Sequence, residues 1–352
     1  MYLSIIGSPG CGKTTLFRAF TGTGATDRPG GSSTTAIIEV PDSRLDRLSQ
    51  IYKPKKTVHG RIEVYDMPAI QEGDMKSDSV PSKQLQQMRS SDAFILVLNN
   101  FDDLFGADPL AGFHGMISEF ILSDMIQVEA RLGRIKKQMG GRDSAPLEQE
   151  KGALEKCFAH LDQGLPLREL SLSDTEEKNL RGFQFLSIKP LMVVINCSEA
   201  KMDMAETIAQ DAKGKIGGSV PVVAACARLE AELVSMDPAE RNAFMEEYGI
   251  HESLRARLIR LAYQTLGLIS FLTVGDDECR AWPLRKGSNA QEAAAAIHTE
   301  LSEKFIRSET VGYNDFILHG DMAACKKAGV WRLEGKQYVV QDGDILCIRA
   351  GN

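Results

Sequence analysis

Apolar positions along this chain fall into three successive patterns. Short runs at Tyr2–Ile6, Arg61–Tyr65, Phe94–Leu98, Leu191–Ile195 and Val220–Ala225 read as strands. Phe94–Leu98 and Leu191–Ile195 are apolar at every position, as in parallel strands covered on both faces. They are far too short to span a membrane. Between Asn100 and Lys189 the strand pattern disappears. Ile121, Met125, Val128, Leu132, Ile135 and Met139 recur at alternating steps of 4 and 3, the seam of a coiled coil. "GGRDSAP" (Gly140–Pro146) interrupts it, and Leu147, Leu154, Phe158 and Leu161 resume a helical period. The pair predicts an antiparallel helical hairpin projecting from a sheet. After Leu268 the pattern changes again. Ser270–Val274, Glu278–Pro283, Tyr338–Val340 and Ile345–Ile348 read as strands, Arg285–His298 as a turn and helix, and Asp342-Gly343 as a hairpin signal. This predicts a small α+β grasp without a catalytic constellation.

The first strand runs into "IIGSPGCGKTT" (Ile5–Thr15). Gly7, Gly12, Lys13 and Thr14 match G-x-x-x-x-G-K-[ST], with a strand before and a helical run, Thr14–Phe20, after. Glycines let the backbone wrap closely round phosphate oxygens. Successive amides at a helix start form an anion site. Ser8, Pro9, Gly10, Cys11, Gly12, Lys13, Thr14 and Thr15 are therefore the candidate triphosphate cradle. Lys13 is expected to reach the β- and γ-phosphates and the Thr14 hydroxyl to ligate Mg²⁺. Cys11 is read as a small loop residue, with a thiol activated by nearby amides as the alternative.

Arg61–Tyr65 ends in Asp66, which fits the second Mg²⁺-linked position. "DMPA" (Asp66–Ala69) stands where related GTPases carry D-x-x-G. An alanine there can still offer its amide to a γ-phosphate while φ stays negative. Ile70 takes the place of a water-orienting Gln and cannot do that work. Leu191–Ile195 leads into "NCSE", and Asn196 and Glu199 are the candidate base readers. The guanine pattern N-K-x-D is altered at both of its last two specified positions, so an acceptor for the adenine amine is expected. "CARLE" reads as a base-packing loop, adding Cys226, Ala227 and Arg228 to the candidate site.

Composition constrains this picture mildly. The 352 residues suit more than one domain, and 25% charged with 43% hydrophobic residues suits a globular protein. A net charge of −7 disfavours nonspecific binding to bulk nucleic acid but leaves room for a local basic patch. Arg131, Arg134, Lys136, Lys137 and Arg142 near the hairpin tip form such a patch; a solvated face and an RNA-phosphate contact are its two readings. Seven scattered cysteines read as reduced thiols. The phosphate motif at the N-terminus leaves no room for a signal peptide, so a cytoplasmic protein is expected.

In this order, the phosphate loop, "DMPAI", helical insertion, "NCSE", "CARLEAEL" and terminal grasp resemble the Obg-like ATPases of the YchF type, translation-factor-class P-loop proteins. "EVPDSRLDRLSQIYKPKKTV" (Glu39–Val58), "QVEARLGRIKK" (Gln127–Lys137), "KPLMVVIN" (Lys189–Asn196), "FIRSETVGYNDF" (Phe305–Phe316) and "KKAGVWRLEGKQYVVQDGDIL" (Lys326–Leu346) carry the resemblance, which covers nearly the whole chain. It implies an α/β P-loop NTPase domain with a mostly parallel sheet, an inserted coiled-coil hairpin and a C-terminal TGS-like β-grasp domain. The expected division is 1–110 and 187–267 for the NTPase domain, 111–186 for the insertion and 268–352 for the TGS-like domain. It further implies a cytosolic ATPase, often also able to bind GTP; Mg²⁺ is expected from Thr14 and Asp66, and a partner or a bound K⁺ is the candidate to complete a site without a general base. The family associates with ribosomes, so a ribosome or RNA contact through the hairpin and TGS-like domain is expected, with no membrane partner. A monomer is expected.

Three departures from the family pattern stand out. "DMPA" replaces D-x-x-G, and "QEGDMKSDSVPSKQL" (Gln71–Leu85) replaces the Gly-rich stretch after it. The first-switch stretch "DRPGGSSTTAIIEV" (Asp27–Val40) has altered spacing, leaving Ser33, Thr34 and Thr35 as candidate metal-side hydroxyls. "FDDLFGADP" (Phe101–Pro109) lacks the family's candidate catalytic His, and His114 matches a different point. No general base is identified. Slow ATP hydrolysis, a binding switch with negligible hydrolysis and a GTPase are the three functional expectations.

Overall fold

The computed structural model describes residues 1–22, 34–77, 79–101, 108–139, 145–218, 220–247 and 252–351. Ser33, Arg142 and most of the loop after Phe101 lie outside them. The chain divides into two compact units, Met1–Ala36 with Glu63–Leu261, and Ile37–Ile62 with Ala262–Asn352. The second unit thus takes residues 37–62, which the sequence division had grouped with the NTPase domain.

In chain order the first elements are β1 (Tyr2–Ile6), α1 (Lys13–Thr21), β2 (Thr34–Val40), α2 (Ser43–Tyr52), β3 (Lys56–Val58), β4 (Gly60–Asp66), α3 (Ser82–Ser90) and β5 (Ala93–Asn100). The hairpin helices α4 (Pro109–Met139) and α5 (Ala145–Leu161) follow, then α6 (Asp174–Leu180), β6 (Leu191–Cys197), α7 (Ala205–Ile216), β7 (Val222–Ala225), α8 (Ala227–Ser235), α9 (Pro238–Glu247) and α10 (Leu254–Thr265). The first sheet has the order β2-β4-β1-β5-β6-β7. β1 pairs in parallel with β4 and β5, β5 with β6, and β6 with β7. Every residue of β6 is buried, as the all-apolar run requires of a strand covered on both faces. The loops at the C-terminal ends of β1, β4, β6 and β7 therefore open on one edge, where α/β sheets bind ligands.

The helical hairpin forms because its seam is buried. Ile121, Val128 and Ile135 of α4 and Ala153, Leu154, Cys157 and Leu161 of α5 share one core with Leu96 and Leu98 of β5. Met125, Leu132, Leu147 and Phe158 pack at its margin. Two carboxylates interrupt the apolar face of α4. Asp124, fully buried, accepts from the Leu186 and Ser187 amides at 2.9 and 2.7 Å. Glu119 accepts from the Gly73 and Met75 amides at 2.7 and 2.8 Å. Each carboxylate thereby satisfies backbone donors that would otherwise be buried without partners. Arg131 is not a free tip cation: it holds Glu150 of α5 through two bonds of 2.6 and 2.7 Å. Lys136 and Lys137 remain exposed.

The second unit adds β8 (Leu268–Thr273), β9 (Glu278–Arg285), α11 (Ala290–Ile297), α12 (Thr299–Glu303), β10 (Phe305–Gly312), α13 (Tyr313–His319), α14 (Met322–Lys327), β11 (Arg332–Glu334) and β12 (Asp344–Ala350). Its sheet has the order β11-β10-β12-β8-β9-β3. α11 starts at an Asn289–Glu292 capping box and covers one face, placing Ala293 against Phe271, Leu284 and Leu346. Leu45 and Leu48 of α2 share the other core with Leu272, Val311 and Phe316. β3 pairs in parallel with β9 at the sheet edge.

Two local expectations need correction. Tyr338–Val340 forms no ladder strand; Val339 makes one isolated bridge to Asn289. Asp342-Gly343 closes no hairpin. The Asp342 carboxylate accepts from the Ser270 amide at 2.9 Å and pairs with Arg44 at 2.8 Å, which turns the chain into β12 instead.

Candidate nucleotide-binding site

The β1–α1 loop is built on glycines that have no substitute. Gly7 has φ 152°, and a Cβ there would lie 2.6 Å from the Val97 carbonyl oxygen. Gly12 is the left-handed cap of α1 at φ 92°, and its Cβ would come within 2.1 Å of Asn196 Nδ2. Both positions combine a conformation disfavoured for side chains with no room for one. Lys13, largely buried, donates to the Ser8 carbonyl oxygen at 2.8 Å and so lies folded across the loop. Ser8, Pro9, Gly10 and Thr14 are exposed, whereas Cys11 is fully buried. Burial pushes the Cys11 thiol up, against the opposing pull of Lys13. That favours an inert packing thiol over the activated alternative.

Asp66, at the end of β4, accepts from the Thr14 hydroxyl at 2.7 Å through Oδ2. Its Oδ1 is buried and has no hydrogen-bond partner among the described residues. Burial raises the Asp66 carboxyl from its ordinary value, with the Thr14 hydroxyl and the Lys13 charge opposing. A buried carboxylate oxygen without a donor, next to a hydroxyl, is a hard-oxygen set that suits Mg²⁺. The candidate metal residues Thr14 and Asp66 are thus brought into direct contact.

Beyond Asp66 the chain is fastened at several points. Met67 N donates to Ile5 O at 3.1 Å and Ile70 N to Gly7 O at 3.3 Å, while Gln84 of α3 donates to Pro68 O at 3.1 Å. Ala69 is exposed and keeps negative φ, since Lys53 and Gln184 are the positive-φ non-glycine residues among those described. The Ile70 side chain is buried with Met67, Met75 and Phe113. His114 sits exposed on α4 with its ring edge against Phe113. A cavity of about 340 Å³ opens between Ser8, Pro9 and Ile70 on one side and Gly112, Gly115 and Glu119 of α4 on the other.

The amide of Asn196, an expected base reader, engages two backbone groups. Nδ2 donates to Cys11 O at 3.1 Å, and Oδ1 accepts from Ala227 N at 3.0 Å. The side chain braces the phosphate loop against the start of α8. Glu199 is exposed at the start of a 3₁₀ turn, Glu199–Met204. Cys226 is the buried N-cap of α8, so the expected loop is largely helix; Arg228 is exposed and pairs with Glu232 at 3.2 Å. Lys201 reaches back to the Asn100 carbonyl oxygen at 3.0 Å. Sequence reasoning missed Lys201, Gln84 and Glu119. A signal for Glu119 was present: a carboxylate inside the apolar run of α4 needs a buried partner.

Two family models match the chain. One described as 50S ribosome-binding GTPase covers residues 2–123, and YchF-GTPase_C, described as a protein of unknown function, covers residues 268–351. The ribosome-binding ATPase YchF of Bacillus subtilis (strain 168) is 36% identical over 359 residues, covering 98% of both chains. That of Escherichia coli O157:H7 is 33% identical over 352 residues, covering 97% of both. The solved YchF GTPase of Schizosaccharomyces pombe superposes with a TM-score of 0.82 at 26% identity, covering 99% of this chain and 97% of that one. With a phosphate loop, an inserted helical hairpin and a terminal grasp unit matched end to end, this chain belongs to the YchF family.

Proposed function

We propose that this chain binds a nucleoside triphosphate with Mg²⁺ in the β1–α1 cradle and hydrolyses it slowly, with ATP preferred over GTP, in association with the ribosome. The observation that carries the reading is the Thr14–Asp66 contact beside Lys13, with Asp66 Oδ1 left for a cation. On substrate entry the Lys13 ammonium leaves the Ser8 carbonyl for phosphate oxygens, and loop amides of Ser8–Thr15 donate to the same group. Thr14 and Asp66 would hold Mg²⁺, which supplies charge neutralisation to the phosphates when bound. Asn196 holds the loop in shape.

The hydrolytic step has few protein groups to work with. Ile70 is packed in the core and offers no polar atom to a water. Positioning and charge neutralisation alone support slow turnover, and a K⁺ or the ribosome would add to them. Relatives named ribosome-binding ATPases support the ribosomal partner and the ATP preference, while the model described as a 50S ribosome-binding GTPase supports the same partner and keeps GTP as a second nucleotide. A cytoplasmic site of action follows from that partner. Among the described residues no helix is long and apolar enough to cross a membrane.

Lys13→Ala is expected to abolish binding of a fluorescent triphosphate analogue; retained binding would remove the cradle from the mechanism. Competitive titration of ATP against GTP sets the base preference. Single-turnover assays with Mg·ATP, with and without ribosomes, test hydrolysis; no turnover in either leaves a binding switch.

A further inference from the structure

The turn after the phosphate-facing segment is attached more firmly to the hairpin helix than to the phosphate loop. Glu119 accepts from Gly73 N and Met75 N at 2.7 and 2.8 Å, and it is almost wholly buried. Gly73, at φ 89°, permits the turn that aims both amides at one carboxylate. On the opposite side the bond nearest the turn is Ile70 N to Gly7 O at 3.3 Å, longer than the upstream bonds of Met67 N to Ile5 O and Gln84 to Pro68 O, both 3.1 Å. Hydrogen bonds to an ionised group are stronger than those between neutral groups. When the turn is pulled, the Ile70–Gly7 bond yields first, and the turn travels with α4.

α4 also has a natural pivot. Asp124, five residues beyond Glu119, is held by the Leu186 and Ser187 amides, with Arg89 3.8 Å away. At 1.5 Å per residue, Glu119 lies about 7.5 Å from that point and Ile135 about 16 Å on its other side. A rigid helix turning there roughly doubles a displacement at Glu119 and delivers it, reversed, to the hairpin. The cavity of about 340 Å³ beside Gly112 and Gly115 gives the turn room to move.

We propose that Glu119 is a positioning residue that couples the Ala69–Met75 segment, where the terminal phosphate is sensed, to α4 and through it to the hairpin. This rests on the nucleotide reading above. Engagement of a γ-phosphate by the Ala69–Ile70 amides releases Ile70 N from Gly7 O. The turn follows, and Glu119 carries α4 with it. ADP, lacking that phosphate, leaves the turn where it is.

The test is hydrogen exchange of the full-length protein with Mg·ADP and with a non-hydrolysable ATP analogue, with fluorescent-nucleotide affinities measured in parallel. In the unmodified chain, amide exchange at Gly73–Met75 and across Gln127–Ile135 is expected to differ between the two nucleotides by roughly tenfold, the equivalent of one hydrogen bond. Glu119→Gln keeps the size but turns an NH₂ toward an N–H. It is expected to bind ADP as the unmodified chain does and to lose the difference over Gln127–Ile135. Glu119→Ala is expected to do the same with faster exchange throughout the turn. A hairpin difference of undiminished size in Glu119→Gln overturns the coupling, as does an unmodified chain that binds both nucleotides with no difference at the hairpin. Failure of the unmodified chain to bind either nucleotide overturns the nucleotide reading itself, and the coupling with it.

Discussion

Asn196, a candidate base reader by its motif position, also braces the phosphate loop with both ends of its amide. Its amide spans Cys11 O and Ala227 N, so Asn196→Ala strands a buried acceptor and a buried donor. The expected cost is about 1–3 kcal/mol of stability by urea unfolding. ATP and GTP affinities should fall by the same factor, because a brace acts on the cradle and not on the base. A changed ATP-to-GTP ratio would return Asn196 to base reading. Glu230 of α8 presents a different problem. Its carboxylate accepts from Leu254 N at 3.1 Å, yet burial pushes it up to about 7. Between about pH 4.5 and pH 7 the folded chain keeps a proton that the unfolded chain has released, so this residue's contribution falls as pH rises through that window. Glu230→Gln preserves an acceptor for Leu254. It should stabilise the protein by roughly 2–3 kcal/mol at about pH 8, and the gain should vanish below about pH 4.5, as thermal melts at the two pH values would show.

At the scale of elements, α4 was readable where it is apolar and opaque where it is polar. The steps of 4 and 3 announced the seam, and Ile121, Val128 and Ile135 are indeed buried in one core with residues of α5. Glu119 and Asp124 gave no periodic signal, because what they bind lies far along the chain, at Gly73 and Met75 and at Leu186 and Ser187. The same holds at the site. Gly7, Gly12, Lys13 and Thr14 are a local pattern and were legible, whereas the bracing by Asn196 spans 185 residues of sequence to Cys11, which no motif spacing encodes. The Asp342-Gly343 signal misled for a related reason: a distant partner, Arg44, claims the carboxylate. Asp124→Ala would leave two buried amides without acceptors and Arg89 without its counter-charge. A loss of about 2–4 kcal/mol is expected from denaturant unfolding, larger than any exposed ion pair of the hairpin surface, such as Lys151–Glu155, could contribute.

At the scale of the molecule, the second unit is assembled from two separate stretches, Ile37–Ile62 and Ala262–Asn352. The sequence division missed this because a strand of three residues and one helix, β3 and α2, carry no label of the sheet they join. A fragment of residues 268–352 alone lacks Leu45 and Leu48, the partners of Leu272 and Phe316 in one core, and leaves the β9 edge unpaired. We expect that fragment to bind a hydrophobic dye and melt without cooperativity. Supplying residues 37–62 through a flexible linker should restore a cooperative transition. The split has a further consequence in time. About 200 residues of the other unit separate the two stretches. At synthesis rates of roughly 5–20 residues per second, α2 and β3 wait about 10–40 s for the sheet they complete. During that wait Leu45 and Leu48 are an uncovered apolar surface on a nascent chain. Any factor that shelters emerging chains would have that whole interval in which to engage residues 37–62.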